Sequence, residues 1–206
     1  MKSGMKIIVT IIIAIIVILV LGIITNVIRN NIIMKKLYEN SSELKTSIKN
    51  YYYEKKSELS EGETRTTTYK IYNYNDKYLI KEYYNDEGNI TTEWIDKSIP
   101  EYVSINEKTG EKTQEIKMKE YDKEYEEALF STTIDTVGYG KILTVNIFTP
   151  IKIEDNCYVI NYDNTTFYVN TNTGIISKVF YGNGNVSCTY KLKNNSVIEN
   201  EVIKPE

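Results

Sequence analysis

Histidine is absent from the 206-residue chain, which also contains only two cysteines, three prolines and one tryptophan. The lack of imidazole excludes Ser-His-Asp and Cys-His nucleophilic centres and histidine-ligated zinc. Two cysteines are too few for a disulfide scaffold or a four-thiolate metal site. The 25 basic and 28 acidic residues give a net charge of −3. Nucleic-acid binders normally carry a strongly basic face, so we expect no nucleic-acid partner. No glycine-rich phosphate loop or activated-serine motif occurs, and we expect neither a cofactor nor an enzyme.

Near the N-terminus the chain carries a long hydrocarbon run, IIVTIIIAIIVILVLGIIT, at residues 7–25. Extended to Ile28, the run has 22 residues. As a helix it is about 33 Å long, enough to cross a bilayer core of roughly 30 Å. A cleaved signal peptide has a shorter apolar region and a small-x-small site, which this segment lacks. The sequence therefore predicts an N-terminal tail and transmembrane helix over residues 1–29, followed by one domain over residues 30–206.

The basic residues around the run give a weak indication of orientation. Lys2 and Lys6 precede it, and Arg29, Lys35 and Lys36 follow it. The count is nearly balanced, but a short basic tail usually stays in the cytoplasm. We therefore expect a single-pass protein of the cell membrane, with its N-terminus inside and its domain outside. Residues 30–206 hold 22 basic and 28 acidic residues, so charge alone should not draw the domain onto anionic lipid.

Beyond the span, hydrophobic spacing predicts two helices. A helix over residues 32–56 would carry an apolar stripe, which we expect to pack on the domain's own sheet and which consists of Ile33, Leu37, Leu44, Ile48 and Tyr51/Tyr52. A coiled-coil or partner helix is the alternative. Residues 120–137 contain good helix formers and predict the second helix.

Between and after these helices the period changes to two residues, which is typical of strands. Nine strands are predicted, at residues 64–74, 77–84, 90–96, 101–106, 113–119, 156–163, 165–170, 174–181 and 185–193. Short turns of Asn, Asp and Gly separate most of them, which favours antiparallel hairpins. We therefore expect an α+β fold, in which a strongly curved antiparallel sheet, a half-barrel, is covered by two helices.

Three segments resemble the LolA/LolB-like lipoprotein-carrier superfamily of incomplete β-barrels. YKIYNYNDKYLIKEYY is similar to its opening hairpin, and Trp94 with Pro100 resembles its Trp-Pro strand pair. TFYVNTNTGIISKVFY resembles its strand, Thr-Gly turn, strand unit, with Asn170 where the family has Asp. The family's basic residue after the proline is absent, because Pro100 leads into Glu101. The resemblance implies an apolar concavity that holds acyl chains, and here a relative fixed to the membrane.

Aromatic residues crowd three successive predicted strands and form the candidate binding site. These residues are Tyr72, Tyr74, Tyr78, Tyr83, Tyr84 and Trp94. Apolar pockets with a few polar groups are the usual small-molecule sites. Tyrosine is also an ordinary strand residue that keeps its hydroxyl wet, and neighbours such as Tyr83 and Tyr84 must lie on opposite faces. We predict Tyr72, Tyr74, Tyr78 and Trp94 as ligand-binding residues.

The other candidate groups are two cysteines and a set of carboxylates. Cys157 and Cys188 lie in the first and fourth strands of the last predicted meander, about 14 Å apart, which favours two core thiols over a disulfide unless the strand order is not sequential. Asp122, Glu124, Glu126 and Glu127 cluster on the second predicted helix. A solvated helix face explains them without catalysis.

These observations together indicate a membrane-anchored extracytoplasmic binding module. We expect it to hold a lipid or acyl chain, or an acylated protein, in the concave face of its sheet. An envelope sensor or protein-interaction domain with a packed interior is the alternative. A pilin-like subunit fits less well, because no acidic residue occurs before Glu39.

Overall fold

Two helices and an eleven-stranded antiparallel sheet make up the described part of the chain, a computed structural model that describes residues 2–59, 66–84, 89–116, 133 and 138–206. The helices are α1 (Lys2–Ser47) and α2 (Tyr139–Val145). The strands are β1 (Tyr51–Leu59), β2 (Thr66–Tyr74), β3 (Lys77–Tyr84), β4 (Asn89–Asp96), β5 (Glu101–Asn106), β6 (Lys112–Glu115), β7 (Lys152–Glu154), β8 (Cys157–Tyr162), β9 (Thr165–Asn170), β10 (Ile176–Tyr181) and β11 (Val186–Asn194). This arrangement confirms the α+β class.

The sheet is two meanders joined at its centre. Its strand order is β6-β5-β4-β3-β2-β1-β11-β10-β9-β8-β7, and the edge strands β6 and β7 do not pair with each other. The sheet is therefore open. Three hairpins turn through Asn and Asp pairs with positive φ, at residues 75–76, 155–156 and 163–164. Two-residue turns of this kind match the twist of antiparallel strands, and Asn and Asp tolerate the left-handed conformation they require.

The strand β1 occupies residues that the sequence assigned to a helix. Helix α1 ends at Ser47, and the chain enters β1 four residues later, at Tyr51, so the helix does not continue to residue 56. Tyr51 and Tyr53 are buried on one side of β1, while Tyr52 lies on the other. Because β1 pairs along its length with both β2 and β11, the sheet's hydrogen bonds outweigh the helix-forming residues EKK within it.

The remaining differences concern short elements. Eleven strands form where nine were expected, because β1 and the three-residue β7 were not predicted. The short helix α2 is also absent from the elements that the sequence predicts. The C-terminal segment makes a 3-10 turn at Glu199–Glu201. Of the second predicted helix, residues 120–132 and 134–137 lie outside the described part of the chain. Thr133 forms an antiparallel bridge with Ile175.

Helix α1 is one continuous helix of 46 residues, about 69 Å long. Its first half is long and apolar enough to span a membrane, and this apolar window is not buried by the rest of the protein. Its second half packs on the strands β8, β9 and β10 through Ile33, Met34 and Leu37. The prediction that this stripe covers the domain's own sheet is therefore confirmed for Ile33 and Leu37, whereas Tyr51 and Tyr52 belong to the strand β1.

Two faces of the sheet follow from the strand register. The helix face carries the side chains that point towards α1, such as Ile160 and Val169, and continues across the first meander through Tyr53, Ile71 and Ile80. The opposite face, here called the tail face, contacts the C-terminal segment. On it lie Tyr52, Tyr72, Leu79, Trp94 and Val103, which are direct cross-strand neighbours on β1 to β5.

Gly174 provides a test of how α1 docks on the sheet. Its φ is +69°, and a Cβ there would lie 2.7 Å from the Leu37 carbonyl oxygen and from Ser41 Oγ. We expect Gly174→Ala to lower the free energy of unfolding by about 3 kcal/mol or more, because neither the α1 backbone nor the turn can move away. Denaturant titration of the full chain in detergent micelles measures this.

The matched control is Gly110→Ala. Gly110 has nearly the same φ, +70°, but nothing lies within 4 Å of the added Cβ. Only the left-handed backbone strain should remain, about 1 kcal/mol. If both variants lose the same free energy of unfolding, the close approach of α1 to Gly174 makes no contribution to the loss at that position.

Candidate functional site

Three of the four predicted binding residues lie together on the tail face. Tyr72, Tyr74 and Trp94 belong to one cluster with Tyr52, Leu79 and Val103. The rings of Tyr52 and Tyr72 are 4.9 Å apart between centroids. Period-two alternation brings these aromatic residues of neighbouring strands to the same side.

Tyr78 does not join this group. It pairs with Asn73 and Ile95 and is buried on the helix face, in a cluster with Tyr51, Tyr53 and others. Because it precedes Leu79 by one residue, it must point to the side opposite Leu79 and Trp94. The alternation of faces, counted from Tyr72 and Tyr74 across the β2–β3 hairpin, already places Tyr78 on the face opposite these two residues.

The C-terminal segment of the chain fills the tail-face cluster. Val197 and Val202 are buried against Trp94, on either side of the 3-10 turn. Lys204 forms an ion pair with Glu101, and its Nζ lies 5.4 Å from the centre of the Trp94 ring. The predicted aromatic site is thus covered by the protein itself.

Two polar atoms are buried within this cluster. Trp94 Nε1 and Thr92 Oγ1 have no hydrogen-bond partner among the described residues, and both residues are at least nine-tenths buried. A buried polar atom without a hydrogen-bond partner lowers the stability of the folded state. The surrounding apolar contacts therefore stabilise this part of the cluster.

A hydrogen-bonded ion pair borders the cluster on the strand β1. Tyr52 donates to Glu54 Oε2 at 2.5 Å, and Lys191 Nζ donates to Glu54 Oε1 at 2.8 Å. Burial is the largest influence on the Glu54 carboxyl and opposes its charge, but these two hydrogen bonds hold its pKa below its ordinary value. Burial and the nearby carboxylate raise the pKa of Tyr52. The Tyr52 hydroxyl therefore stays protonated and acts as a hydrogen-bond donor.

An open cleft of about 600 Å³ lies at the turn between β8 and β9. Tyr168 and Phe180 are diagonal neighbours on the adjacent strands β9 and β10, on the tail face, and their rings meet edge to face with centroids 5.8 Å apart. Thr166 Oγ1 donates to Asn161 Oδ1 at 2.9 Å. The lining residues are Asn161, Tyr162, Asp163, Asn164, Thr165, Thr166, Tyr168, Phe180 and Gly184.

The lining of the cleft combines three aromatic rings, those of Tyr162, Tyr168 and Phe180, with amide and hydroxyl groups. It contains one carboxylate, that of Asp163, and no serine, cysteine or lysine. Lys178 lies nearby, with its Nζ 4.3 Å from the centre of the Phe180 ring. Such a surface can stack a flat apolar group and hydrogen-bond its polar edge, and it offers no pair of groups for acid-base chemistry.

The cleft lies at the end of the domain that is next to the transmembrane segment. Asn146 Nδ2 donates to the carbonyl oxygen of Asn161, at 3.1 Å. The Asn146 carbonyl oxygen in turn accepts from Nδ2 of Asn26 and of Asn30, at 3.1 and 2.9 Å. Two hydrogen bonds therefore connect the cleft to α1 where its apolar run ends.

The sequence does not predict this cleft. It predicts a hairpin at residues 161–168, and the structure has the turn of this hairpin at residues 163–164. Placing Phe180 beside Tyr168 depends on the bulge in the pairing of β9 with β10, between Ile176 and Lys178. A bulge changes which side chains share a face and has no clear signature in this sequence.

The other candidate groups fall as follows. Cys157 and Cys188 are free and buried, in the strands β8 and β11, which are separated by two strands. The expectation of two core thiols is therefore confirmed. The carboxylates Asp122, Glu124, Glu126 and Glu127 lie outside the described residues.

Comparison with known proteins gives no family: no protein-family model matches the chain, and no curated protein matches it significantly.

Trp94 is the single tryptophan and reports directly on the tail-face cluster. We expect Val202→Asp to shift its emission to longer wavelength and to cost about 2–4 kcal/mol of stability, because a carboxylate would be buried among apolar groups. Ile203→Asp is the control, since Ile203 is exposed. An unchanged emission spectrum for the Val202 variant would contradict the packing of the C-terminal segment on Trp94.

Proposed function

We propose that this protein is a membrane-anchored binding module whose cleft between β8 and β9 binds a small polar molecule with a flat apolar face. A sugar ring is the simplest ligand of this kind. The observation that carries the proposal is the pairing of Tyr168 and Phe180 with the amides and hydroxyls of Asn161 and Thr166 in a cleft of about 600 Å³. Small-molecule sites commonly have volumes of roughly 300–1,000 Å³.

The position of the cleft supports a ligand from the membrane surface. The cleft is two hydrogen bonds from Asn26, at the end of the apolar run. A glycosylated lipid would bring a sugar headgroup to this height, and a free saccharide offers the same chemistry. A lipid is also the ligand class expected from the sequence, here recognised through its headgroup.

The expected carrier of acyl chains in the concave face is a weaker candidate. It needs an open apolar floor, and the aromatic residues predicted to form one, Tyr72, Tyr74 and Trp94, pack against Val197 and Val202. On the helix face, Ile71 and Ile80 are likewise buried. A packed interior favours recognition at the surface. Since Asp163 is the one carboxylate of the cleft, we propose binding without catalysis.

The binding test uses the full chain in lipid nanodiscs. A soluble methyl disaccharide and a diglycosyl diacylglycerol are titrated separately, and binding is followed by calorimetry. We expect Tyr168→Ala with Phe180→Ala to weaken binding by about tenfold, because stacking is lost. Tyr83→Ala is the control, since Tyr83 is a half-buried tyrosine beside a lysine on another strand.

Each outcome of this titration is informative. Binding of both probes indicates a free saccharide or a headgroup, and binding of the glycolipid alone indicates a membrane ligand. Binding of neither, or equal binding by the cleft variant, would show that the cleft is not the site. Membrane phospholipid that stays bound to the protein after detergent extraction would instead support the acyl-chain carrier.

We also place the domain on the outer side of the cell membrane. The expected evidence is labelling of Ile198→Cys by a membrane-impermeant maleimide in intact cells, whereas Ser3→Cys should react only after lysis. The native Cys157 and Cys188 are buried and should give little background. The opposite labelling pattern would reverse the orientation.

A further inference from the structure

A loop of the domain lies beside α1 where the apolar run ends. Asn26 Nδ2 donates to the carbonyl oxygens of Asn146 and Ile147, at 3.1 and 2.7 Å. Asn30 Nδ2 donates to those of Asn146 and Thr149, at 2.9 and 3.2 Å, and Asn30 Oδ1 accepts from the Ile151 amide at 3.1 Å. These bonds fix the height of residues 146–151 along the helix.

Phe148 is at the centre of this loop and is 79% exposed. Its neighbours Ile147 and Thr149 are the residues that accept hydrogen bonds from α1, so the Phe148 ring extends from a segment held on both sides. Full exposure of a phenylalanine to water costs the free energy that burial would provide, about 1.5–3 kcal/mol. Because its loop is bonded to α1 at the end of the exposed apolar run, Phe148 and that run together form one apolar surface.

The position of the loop along α1 indicates what Phe148 contacts. The run from Ile7 to Ile28 is about as long as the hydrocarbon core is thick, and Lys6 and Arg29 bound it on its two sides. The core boundary on the domain side therefore lies near residues 26–28, the height at which the loop is held. On the same stretch of α1, Ile24 and Ile28 are about half exposed.

We propose that residues 146–150 form a second membrane contact, in which Phe148 enters the bilayer interface beside the transmembrane helix. The partner is the lipid bilayer itself, and the contact does not depend on the proposed ligand of the cleft. Aromatic residues favour this depth of the membrane. Arg29, on α1, and Lys152, which follows the loop, are both exposed and can meet anionic headgroups.

The test uses the full chain reconstituted in phosphatidylcholine and phosphatidylglycerol vesicles, with and without lipids brominated near the headgroup. Wild-type emission comes from Trp94 alone, which is buried in the domain. We expect the brominated lipids to reduce the added emission of Phe148→Trp by at least about twofold, since the indole should lie at the interface. Aqueous acrylamide should quench the same residue poorly.

The matched control is Ile198→Trp. Ile198 is also exposed, but it follows Asn195, whose amide bonds to the Asn50 carbonyl oxygen. Asn50 follows the end of α1 at Ser47, which lies about 29 Å along the helix from Ile28. This variant should show the reverse pattern, with acrylamide quenching and no effect of brominated lipid.

Two results would overturn the proposal. Brominated lipid that quenches Phe148→Trp no more than Ile198→Trp, together with strong acrylamide quenching, would leave the loop in water. Protection from both quenchers would place Phe148 against protein, such as a second copy of the chain. In that case, cross-linking in the vesicles identifies the partner.

Discussion

One uninterrupted helix sets the geometry of the whole molecule. The apolar first half of α1 and the second half that packs on β8 to β10 share a single axis, with no glycine or proline between Ile23 and Ser47. The amides of Asn26 and Asn30 attach the domain where the two halves meet. Since a helix resists bending, the tilt of the span and the tilt of the sheet relative to the membrane cannot vary independently.

The two faces of the sheet are closed by different parts of the chain. Helix α1 lies over one face of the second meander, and the segment around Val197 and Val202 covers the other face of the first. Among the described residues, neither of these covers reaches the tail face of the second meander, where Tyr168 and Phe180 lie. The candidate cleft lies on this face, and its floor is made from ordinary strand side chains.

Most of the correct predictions from the sequence concern features that depend on residues close together in the chain. The Asn and Asp turns and the period-two segments located nine of the strands, because both features act over a few residues. The strand β1 was missed because its residues suit a helix as well as a strand, and only its partners β2 and β11 decide between them. The packing of the C-terminal segment was missed for a similar reason, since its two valines are buried only through their contact with the cluster around Trp94.

The candidate site was predictable to a smaller extent. Of the predicted group, Tyr72, Tyr74 and Trp94 share one face but Tyr78 lies on the other, and the covering of the group could not be derived from strand patterns. The cleft depends on a bulge and on Asn146, which joins α2, β8 and α1 through its side chain and its carbonyl group. Such long-range contacts follow from the tertiary structure and leave no periodic signal.

The central position of β1 has a consequence for how the chain acquires its structure. Its partner β11 lies more than 130 residues later, with Tyr51 opposite Asn194. During synthesis β1 to β6 can form as one meander, but one edge of β1 stays unpaired until β11 has been made. Sheets with such distant pairings fold slowly, because the loop-closure entropy is lost before the contact forms. For that period the exposed edge can pair with other chains, so the interval between making β2 and making β11 is when the protein is most prone to aggregate.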